Sequence, residues 1–277
     1  MSFDDFLNKV KKYNPNANEK LLHDSYTFAH KAHSGQDRES GQPYFIHPLA
    51  VAEILAEMRA DSASLSAALL HDCVEDTSVS LATIKEEFGD EVAMLVEGLT
   101  KTEGIQFSSK EEYKAENLRK VLLATTKDIR VILIKLADRL HNMQTIKCLR
   151  EDKQRRIAQE TLDIFAPIAH KLGMRQIKGD LEDLALKVLV PKAYAELREK
   201  IAGKREEREA TARKHIEVIM NSLKRHNIKA EVVGRAKYFY SIYQKMKRQK
   251  KDFNEIYDLI AIRIVTETIP ECYAALG

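Results

Sequence analysis

The sequence predicts a mainly α protein that is all-helical up to about residue 227 and ends in an incomplete α/β segment. Its 277 residues include only 10 glycines and 6 prolines, and tryptophan is absent. Such a composition favours long helices over a turn-rich β fold. Apolar residues recur at helical spacing through most of the chain, whereas runs of β-branched residues begin only near residue 228. We therefore expect a helical domain over 1–195, a helical connector over 196–227 and the first part of an α/β domain over 228–277.

Charge and cysteine usage exclude several classes of protein. The formal net charge of +3 is too small to indicate nucleic-acid binding by itself. The three cysteines lie far apart and form no CxxC pair, which argues against a disulfide framework or a zinc finger and suits a reducing cytosol. The N-terminus lacks the apolar core of a signal peptide, and no apolar run approaches the ~20 residues of a membrane span. We expect a cytoplasmic chain that binds neither membranes nor nucleic acid.

The N-terminal part is predicted to be two helices followed by a loop. Residues 2–33 have helical periodicity with a break at 14–16, and residues 34–48 hold two glycines and two prolines. The loop ends at His47, and the proline after it suits the first turn of the next helix. A histidine fixed at the start of a helix suits a ligand role. Arg38 in the same loop is either a solvated surface residue or a cation that reaches an anionic ligand.

The stretch 67–77, AALLHDCVEDT, concentrates ionisable groups after a small and apolar run. On a continuous helix the side chains of His71, Asp72, Glu75 and Asp76 fall within roughly 140° of one face. A buried face does not tolerate three carboxylates and an imidazole without partners. A divalent metal ion is the simplest partner for them, and ion pairs inside the core are the alternative.

A second polar row is predicted on a helix over about 128–149. Asp138, Asn142 and Thr145 lie within about 60° of one another at 100° per residue, on a side that also carries apolar residues. A polar row inside a core is either a satisfied structural network or a site.

Taken together, the two rows and the loop histidine predict a hydrolytic metal site. Two imidazoles and two carboxylates suit Mn²⁺, Fe²⁺ or a similar six-coordinate ion better than a closed tetrahedral zinc site. The candidate ligands are His47, His71, Asp72 and Asp138. Glu75 and Asp76 are placed to orient or deprotonate a water molecule and to pass a proton to a leaving group. The expected reaction is hydrolysis of a phosphoester or phosphoanhydride.

These motifs resemble a known family. The pairs and runs that carry the resemblance are HP at 47–48, HDCVED at 71–76, LADRLHNMQT at 136–145 and IAHKLGMRQIKGDLEDLA at 168–185. They are similar to the HD-type hydrolase of the RelA/SpoT homologue family, which acts on the alarmones (p)ppGpp. The resemblance implies an all-helical hydrolase domain with one Mn²⁺. It also implies removal of the 3′-pyrophosphate, which gives GDP or GTP and pyrophosphate.

The same resemblance implies a role for each matching residue. His47, His71, Asp72 and Asp138 would bind Mn²⁺, and Glu75 and Asp76 would activate the water. The residues that would contact the guanosine are Arg38, Asn142 and Thr145. The family often has Arg-Lys where this chain has Arg38-Glu39. A carboxylate beside an oligophosphate is unfavourable unless it points away, so Glu39 bears on the affinity for the substrate and not on the chemistry.

The C-terminal segment resembles the start of the family's nucleotidyltransferase-like synthetase. Seven lysines or arginines and no acid occur over 235–251. In a complete domain Arg235, Lys237 and Lys245 would contact ATP phosphates, and Asp258 would bind Mg²⁺. We expect no synthesis by this chain. The resemblance implies a longer bifunctional parent, also a GTP pyrophosphokinase, that associates with ribosomes or other regulators.

Two alternative functions stay open from the sequence. The first is a generic HD-type phosphohydrolase for other nucleotides, and the second is a non-catalytic module that regulates a synthetase. The guanosine-contact residues and the synthetase-like segment favour the (p)ppGpp hydrolase over the first alternative. The intact His-Asp and Glu-Asp pairs at 71–76 argue against the second.

Overall fold

The computed structural model describes residues 2–100, 110–202, 205–250, 253 and 260–277. The fold is mainly α, as predicted. Packing divides the chain into two compact units, Met1–Ile157 and Ala158–Gly277, and each is described by itself. In the part of the chain that the structure describes, no helix combines the length and the apolar character needed to cross a bilayer.

The first unit is a bundle of helices around a short apolar helix. Its helices are α1 (Phe3–Lys11), α2 (Glu19–Ala32), α3 (Ile46–Glu57), α4 (Ser62–Leu70), α5 (Cys73–Asp76), α6 (Leu81–Leu99), α7 (Lys110–Lys127), α8 (Arg130–Gln144) and, up to Ile157, α9 (Glu151–Glu160). Helix α4 packs against α2, α3, α6 and α8. Every residue from Ala63 to Leu70 is buried, which is typical of a helix that is surrounded by others.

The continuous helix predicted over 67–77 is wrong. Helix α4 ends at Leu70, α5 begins at Cys73, and His71 and Asp72 lie in the break between them. A side-chain hydrogen bond accompanies the break, since the Nδ1 atom of His71 lies 2.7 Å from the carbonyl oxygen of Ala68. In an uninterrupted helix that carbonyl accepts from the amide of residue 72. The break places His71 and Asp72 at the end of the most buried helix of the unit.

Helix α8 is shorter than the predicted range of 128–149. It runs from Arg130 to Gln144, and a 3₁₀ turn follows at Ile146–Cys148. Arg130 fixes its beginning, since its guanidinium contacts Asp128 at 2.6 Å and Asp61 at 3.0 Å. Asp61 is also the N-cap of α4, where it accepts from the amide of Ser64 at 2.7 Å. One arginine therefore holds together the starts of α8, which carries candidate site residues, and of α4, which leads into His71 and Asp72.

The second unit contains helices and a pair of strands. It consists of a π-helical turn (Thr161–Phe165), α10 (Ala166–Lys171), α11 (Arg175–Leu189), α12 (Pro191–Ala202), α13 (Arg205–Arg225), β1 (Ala230–Ala236), α14 (Phe239–Gln249), β2 (Ile260–Thr266) and α15 (Ile269–Leu276). Strands β1 and β2 are antiparallel, with Ala230 opposite Thr266 and Ala236 opposite Ile260. The strands lie where the sequence pattern changes. The domain boundaries at 195 and 227 stay a prediction.

Helix α11 holds the beginning of α14. The Asp183 carboxylate accepts from the amides of Phe239 at 3.1 Å and Tyr240 at 2.8 Å, and so caps α14 from another helix. The ring of Tyr238 occupies the space where a Cβ atom at Gly179 would lie. Helices α11, α12 and α14 contribute Leu186, Leu197 and Ile242 to a buried apolar cluster that also contains Phe253.

Candidate active site

The structure brings the four predicted metal ligands together. The ligand atoms of His47, His71 and Asp138 all lie within 4.8 Å of one another, and the three residues are only 3%, 4% and 6% exposed. Asp72 adjoins them, with its Oδ2 atom 3.5 Å from His47 Nε2 and its Oδ1 atom 3.2 Å from His71 Nε2. Three separate stretches contribute these residues: the start of α3, the break after α4, and the middle of α8.

The hydrogen bond that one ring nitrogen of His71 makes leaves the other ring nitrogen for a ligand. A carbonyl oxygen only accepts, so the contact with Ala68 places the proton of a neutral His71 on Nδ1 and the lone pair on Nε2. This Nε2 atom is buried and makes no hydrogen bond with any residue that the structure describes. A buried polar atom without a partner is costly. A divalent cation between Nε2 and the carboxylates would remove that cost, so the donor set fits a metal ion.

The two aspartates of the cluster are held in their ionised form. Burial alone would raise the pKa of Asp138, but Lys135, 2.8 Å from its Oδ2 atom, and His47 hold the pKa well below its ordinary value. Burial also opposes ionisation of Asp72, yet the His71 and His47 rings keep the pKa of Asp72 lowered. The cluster therefore offers two negative charges at neutral pH.

Tyr44 connects the ligand cluster with the predicted acid pair. Its hydroxyl lies 3.0 Å from Asp72 Oδ2 and 2.5 Å from Asp76 Oδ2. Burial, followed by the Asp72 charge, raises the pKa of Tyr44, so the hydroxyl keeps its proton and donates it between the two carboxylates. The side chain of Gln36 also donates to the Asp76 carbonyl at 2.8 Å. Asp76 is exposed, whereas Glu75, the residue before it in α5, is half-buried.

The three predicted guanosine contacts meet at one edge of the cluster. The Arg38 guanidinium donates to Asn142 Oδ1 at 3.0 Å and to Thr145 Oγ1 at 3.4 Å. The Asn142 amide in turn donates to Asp138 Oδ1 at 2.5 Å. A hydrogen-bonded path therefore joins the loop before α3 to a candidate metal ligand.

The negative charge of Glu39 is balanced by a residue of α9. Its Oε1 atom lies 2.6 Å from Lys153 Nζ, and both side chains are exposed. This ion pair gives the unexpected acidic residue beside Arg38 a partner of its own.

Comparison with known families identifies the fold. The family model described as "HD domain" matches residues 25–175, which is more than half of the chain and includes every residue of the candidate site. The chain belongs to the HD domain family. A second model, described as "Region found in RelA / SpoT proteins", matches residues 234–277 of this HD domain protein. The combination confirms the resemblance to RelA/SpoT proteins.

Three curated relatives extend over nearly the whole chain. The identity is 46% to a GTP pyrophosphokinase of Myxococcus xanthus and 48% to one of Streptomyces coelicolor, over 100% and 91% of this chain. It is 46% over 99% of the chain to a guanosine-3′,5′-bis(diphosphate) 3′-pyrophosphohydrolase of Vibrio cholerae. The alignments cover 37%, 30% and 39% of these relatives, so the chain spans well under half of their length. Membership of the HD domain family and the His-His-Asp cluster together indicate that this protein binds a divalent metal.

Sequence reasoning missed three residues of the site: Tyr44, Lys135 and His141. A spacing of three residues from a predicted ligand is the signal that the sequence carries for them, but it does not give their contacts with other stretches. Lys135 and His141 lie three positions before and after Asp138 on α8, and neighbours at that spacing share a helix face. Tyr44 lies three positions before His47.

The residues predicted for the synthetase lie in the second unit. Arg235 belongs to β1, Lys237 follows it, and Lys245 belongs to α14. Lys237 and Lys245 are half-buried, and Asp258 lies outside the described residues. The roles of these four residues in binding ATP and Mg²⁺ stay predictions.

Proposed function

We propose that this chain is a Mn²⁺-dependent guanosine-3′,5′-bis(diphosphate) 3′-pyrophosphohydrolase. It would convert (p)ppGpp to GDP or GTP and pyrophosphate. The observation that carries the proposal is the buried Nε2 atom of His71, which lacks a hydrogen bond among the described residues and faces ionised carboxylates. One relative at 46% identity bears the name of this activity.

His47, His71, Asp72 and Asp138 would hold the Mn²⁺ ion. Two imidazoles and two carboxylates match the mixed nitrogen and oxygen ligands of such an ion and leave coordination positions for other groups. A bound divalent ion would lower the pKa of water from 15.7 towards about 7 and polarise a phosphoryl oxygen. The burial of these residues keeps the charges in a low-dielectric environment, where electrostatic interactions are stronger.

The acid pair would carry the protons of the reaction. Glu75 and Asp76 would orient the attacking water and accept its proton while its oxygen forms a bond to phosphorus. The bond from phosphorus to the 3′-oxygen breaks, and a proton returned from the pair neutralises the departing oxygen. The Tyr44 hydroxyl holds the Asp76 carboxylate, which limits its motion during these transfers.

Arg38, Asn142 and Thr145 would contact the guanosine. The support is their convergence beside Asp138, where the Arg38 guanidinium donates to oxygens of the other two side chains. A nucleotide bound there would lie next to the metal ligands. The pairing of Glu39 with Lys153 reduces the repulsion that its carboxylate would exert on an oligophosphate.

The test is release of pyrophosphate and GDP from ppGpp. We expect the chain to turn over ppGpp with Mn²⁺ and to stop when a chelator is added. Turnover of other nucleotides but not of ppGpp would favour a generic HD phosphohydrolase. A chain that is inert with Mn²⁺ would favour a regulatory module and contradict the proposal.

For the longer parent we propose a second activity. The match of residues 234–277 to the RelA/SpoT region supports an arrangement in which 1–195 is the hydrolase, 196–227 a connector and 228–277 the beginning of a synthetase. Assay of the longer protein for transfer of pyrophosphate from ATP to GTP tests this proposal. Co-sedimentation with ribosomes tests the proposed ribosome association.

A further inference from the structure

His141 lies between a candidate metal ligand and the loop that precedes α3. Its ring is 7% exposed, and its Nδ1 atom is 2.7 Å from the Nδ1 atom of His47. The same Nδ1 atom is 3.4 Å from the Nη1 atom of Arg38. The function proposed above gives His141 no role.

The close contact between the two imidazoles requires that one of the two facing nitrogens carries a proton and the other does not. At 2.7 Å the two nitrogens form a hydrogen bond, so one ring donates and the other accepts. If His141 donates, the proton of a neutral His47 is on Nε2, and this nitrogen has no lone pair for a metal. If His47 donates, its Nε2 atom carries the lone pair and faces Asp138 Oδ1 at 3.2 Å.

Arg38 distinguishes between these two arrangements. A guanidinium is cationic and has no acceptor, so Arg38, 3.4 Å from His141 Nδ1, disfavours a proton on that nitrogen. The single lone pair of His141 Nδ1 then accepts from the closer nitrogen, that of His47. The proton between the rings is then on His47 Nδ1. We propose that His141 is a positioning residue that fixes this tautomer of His47, and the proposal rests on the metal site proposed above. Without the acceptor on His141, Asp138 Oδ1 would favour a proton on His47 Nε2, the tautomer that cannot bind the ion.

The first test measures Mn²⁺ affinity by calorimetry, without turnover. His141→Phe keeps a ring but removes the acceptor, and we expect binding about 10- to 100-fold weaker, the effect of losing an outer partner of a metal ligand. His141→Asn offers Oδ1 as an acceptor and is expected to bind within a few-fold of the wild type. His23→Phe is the matched control, because that histidine is 59% exposed and should leave the affinity unchanged.

The second test reads the tautomers directly. We expect ¹⁵N NMR of the wild-type chain loaded with diamagnetic Zn²⁺ to show a proton on Nδ1 of His47 and none on Nδ1 of His141. A proton on His141 Nδ1 would overturn the inference, even where the phenylalanine variant fails to fold.

The outcomes separate this inference from the proposed function. A wild-type chain that binds no divalent ion would overturn the metal site and with it the inference. Wild-type binding with unchanged affinity in His141→Phe, checked for folding by circular dichroism, would overturn the positioning role alone. Equal losses in the phenylalanine and asparagine variants would also contradict it, because the role requires rescue by an acceptor.

Discussion

Asp138 in the first unit is buried and Asp183 in the second is half-buried, yet their pKa values shift in opposite directions. Lys135 and His47 face Asp138 and overcome its burial, so its pKa lies well below the ordinary value. Asp183 has backbone amides as its hydrogen-bond donors, and burial raises its pKa to about 6, with Asp180 adding to the effect.

The difference shows that the groups facing a buried carboxylate, and not burial itself, determine its charge. The Lys135 ammonium beside Asp138 keeps it ionised at neutral pH, which suits a residue that binds a metal ion. Asp183 accepts hydrogen bonds at a helix N-terminus, a role that does not require a full charge.

Asp138→Asn should abolish the activity and weaken Mn²⁺ binding by at least about 100-fold. The amide keeps the shape of the side chain but removes a charged ligand oxygen. Calorimetric titration with Mn²⁺ and an assay of pyrophosphate release measure the two effects. Asp183→Asn is the control and should bind Mn²⁺ as the wild type does. Normal metal binding by the Asp138 variant would show that Asp138 is not a ligand.

Asp76→Asn should keep Mn²⁺ affinity and lower kcat by about 10²- to 10⁴-fold, the usual contribution of a general acid or base. Asp76 is exposed, and its carboxylate accepts a hydrogen bond from the Tyr44 hydroxyl and not from the ligand histidines. Steady-state kinetics with ppGpp, together with a Mn²⁺ titration, separate the two properties. Loss of metal binding in this variant would contradict the assignment of Asp76 to proton transfer.

Lys135→Met should lower the Tm by several degrees without metal and by less with saturating Mn²⁺. The variant removes the ammonium group from a buried carboxylate, and a bound cation restores positive charge there. Thermal unfolding in chelator and in Mn²⁺ measures the difference. Lys153→Met removes one partner of an exposed pair and should change the Tm little in either condition. Equal losses with and without metal would argue against an ion beside Asp138.

Asp183→Asn should change how stability depends on pH. The pKa of Asp183 is raised from 3.8 to about 6, so between these values the folded chain binds more protons than the unfolded chain. The contribution of Asp183 to stability therefore falls as the pH rises from about 4 to about 6 and is constant above that range. The Tm of the variant minus the Tm of the wild type, measured in chelator, should increase from pH 4.5 to pH 7. A difference that is independent of pH would contradict the raised pKa.

Spacing along the sequence predicted the helical fold and the residues that converge on the cluster, because periodicity reports which side chains share a face. It could not predict the break at His71, since the local residues favour a helix and the side-chain bond from His71 to the Ala68 carbonyl leaves no mark in the spacing. Tyr44 and His141 were missed for a related reason. Each acts on a residue from another stretch, and such contacts exist only after the helices pack.

The length of α8 was also overestimated from the sequence. The apolar spacing continues past Gln144, but the chain turns there into a 3₁₀ segment at Ile146–Cys148. Periodicity does not distinguish the last turn of an α-helix from a 3₁₀ turn, because both place apolar residues on nearly the same side.

The contact between Gly179 and the ring of Tyr238 links the allowed identities of two positions that are distant in sequence. Any side chain at 179 would need the volume that the tyrosine ring occupies, so a larger residue there requires a smaller one at 238 or a displaced helix α14. Among natural variants of this protein, the two positions should therefore change together. A variant with alanine at 179 and an aromatic residue at 238 would have to pack α11 and α14 in a different arrangement.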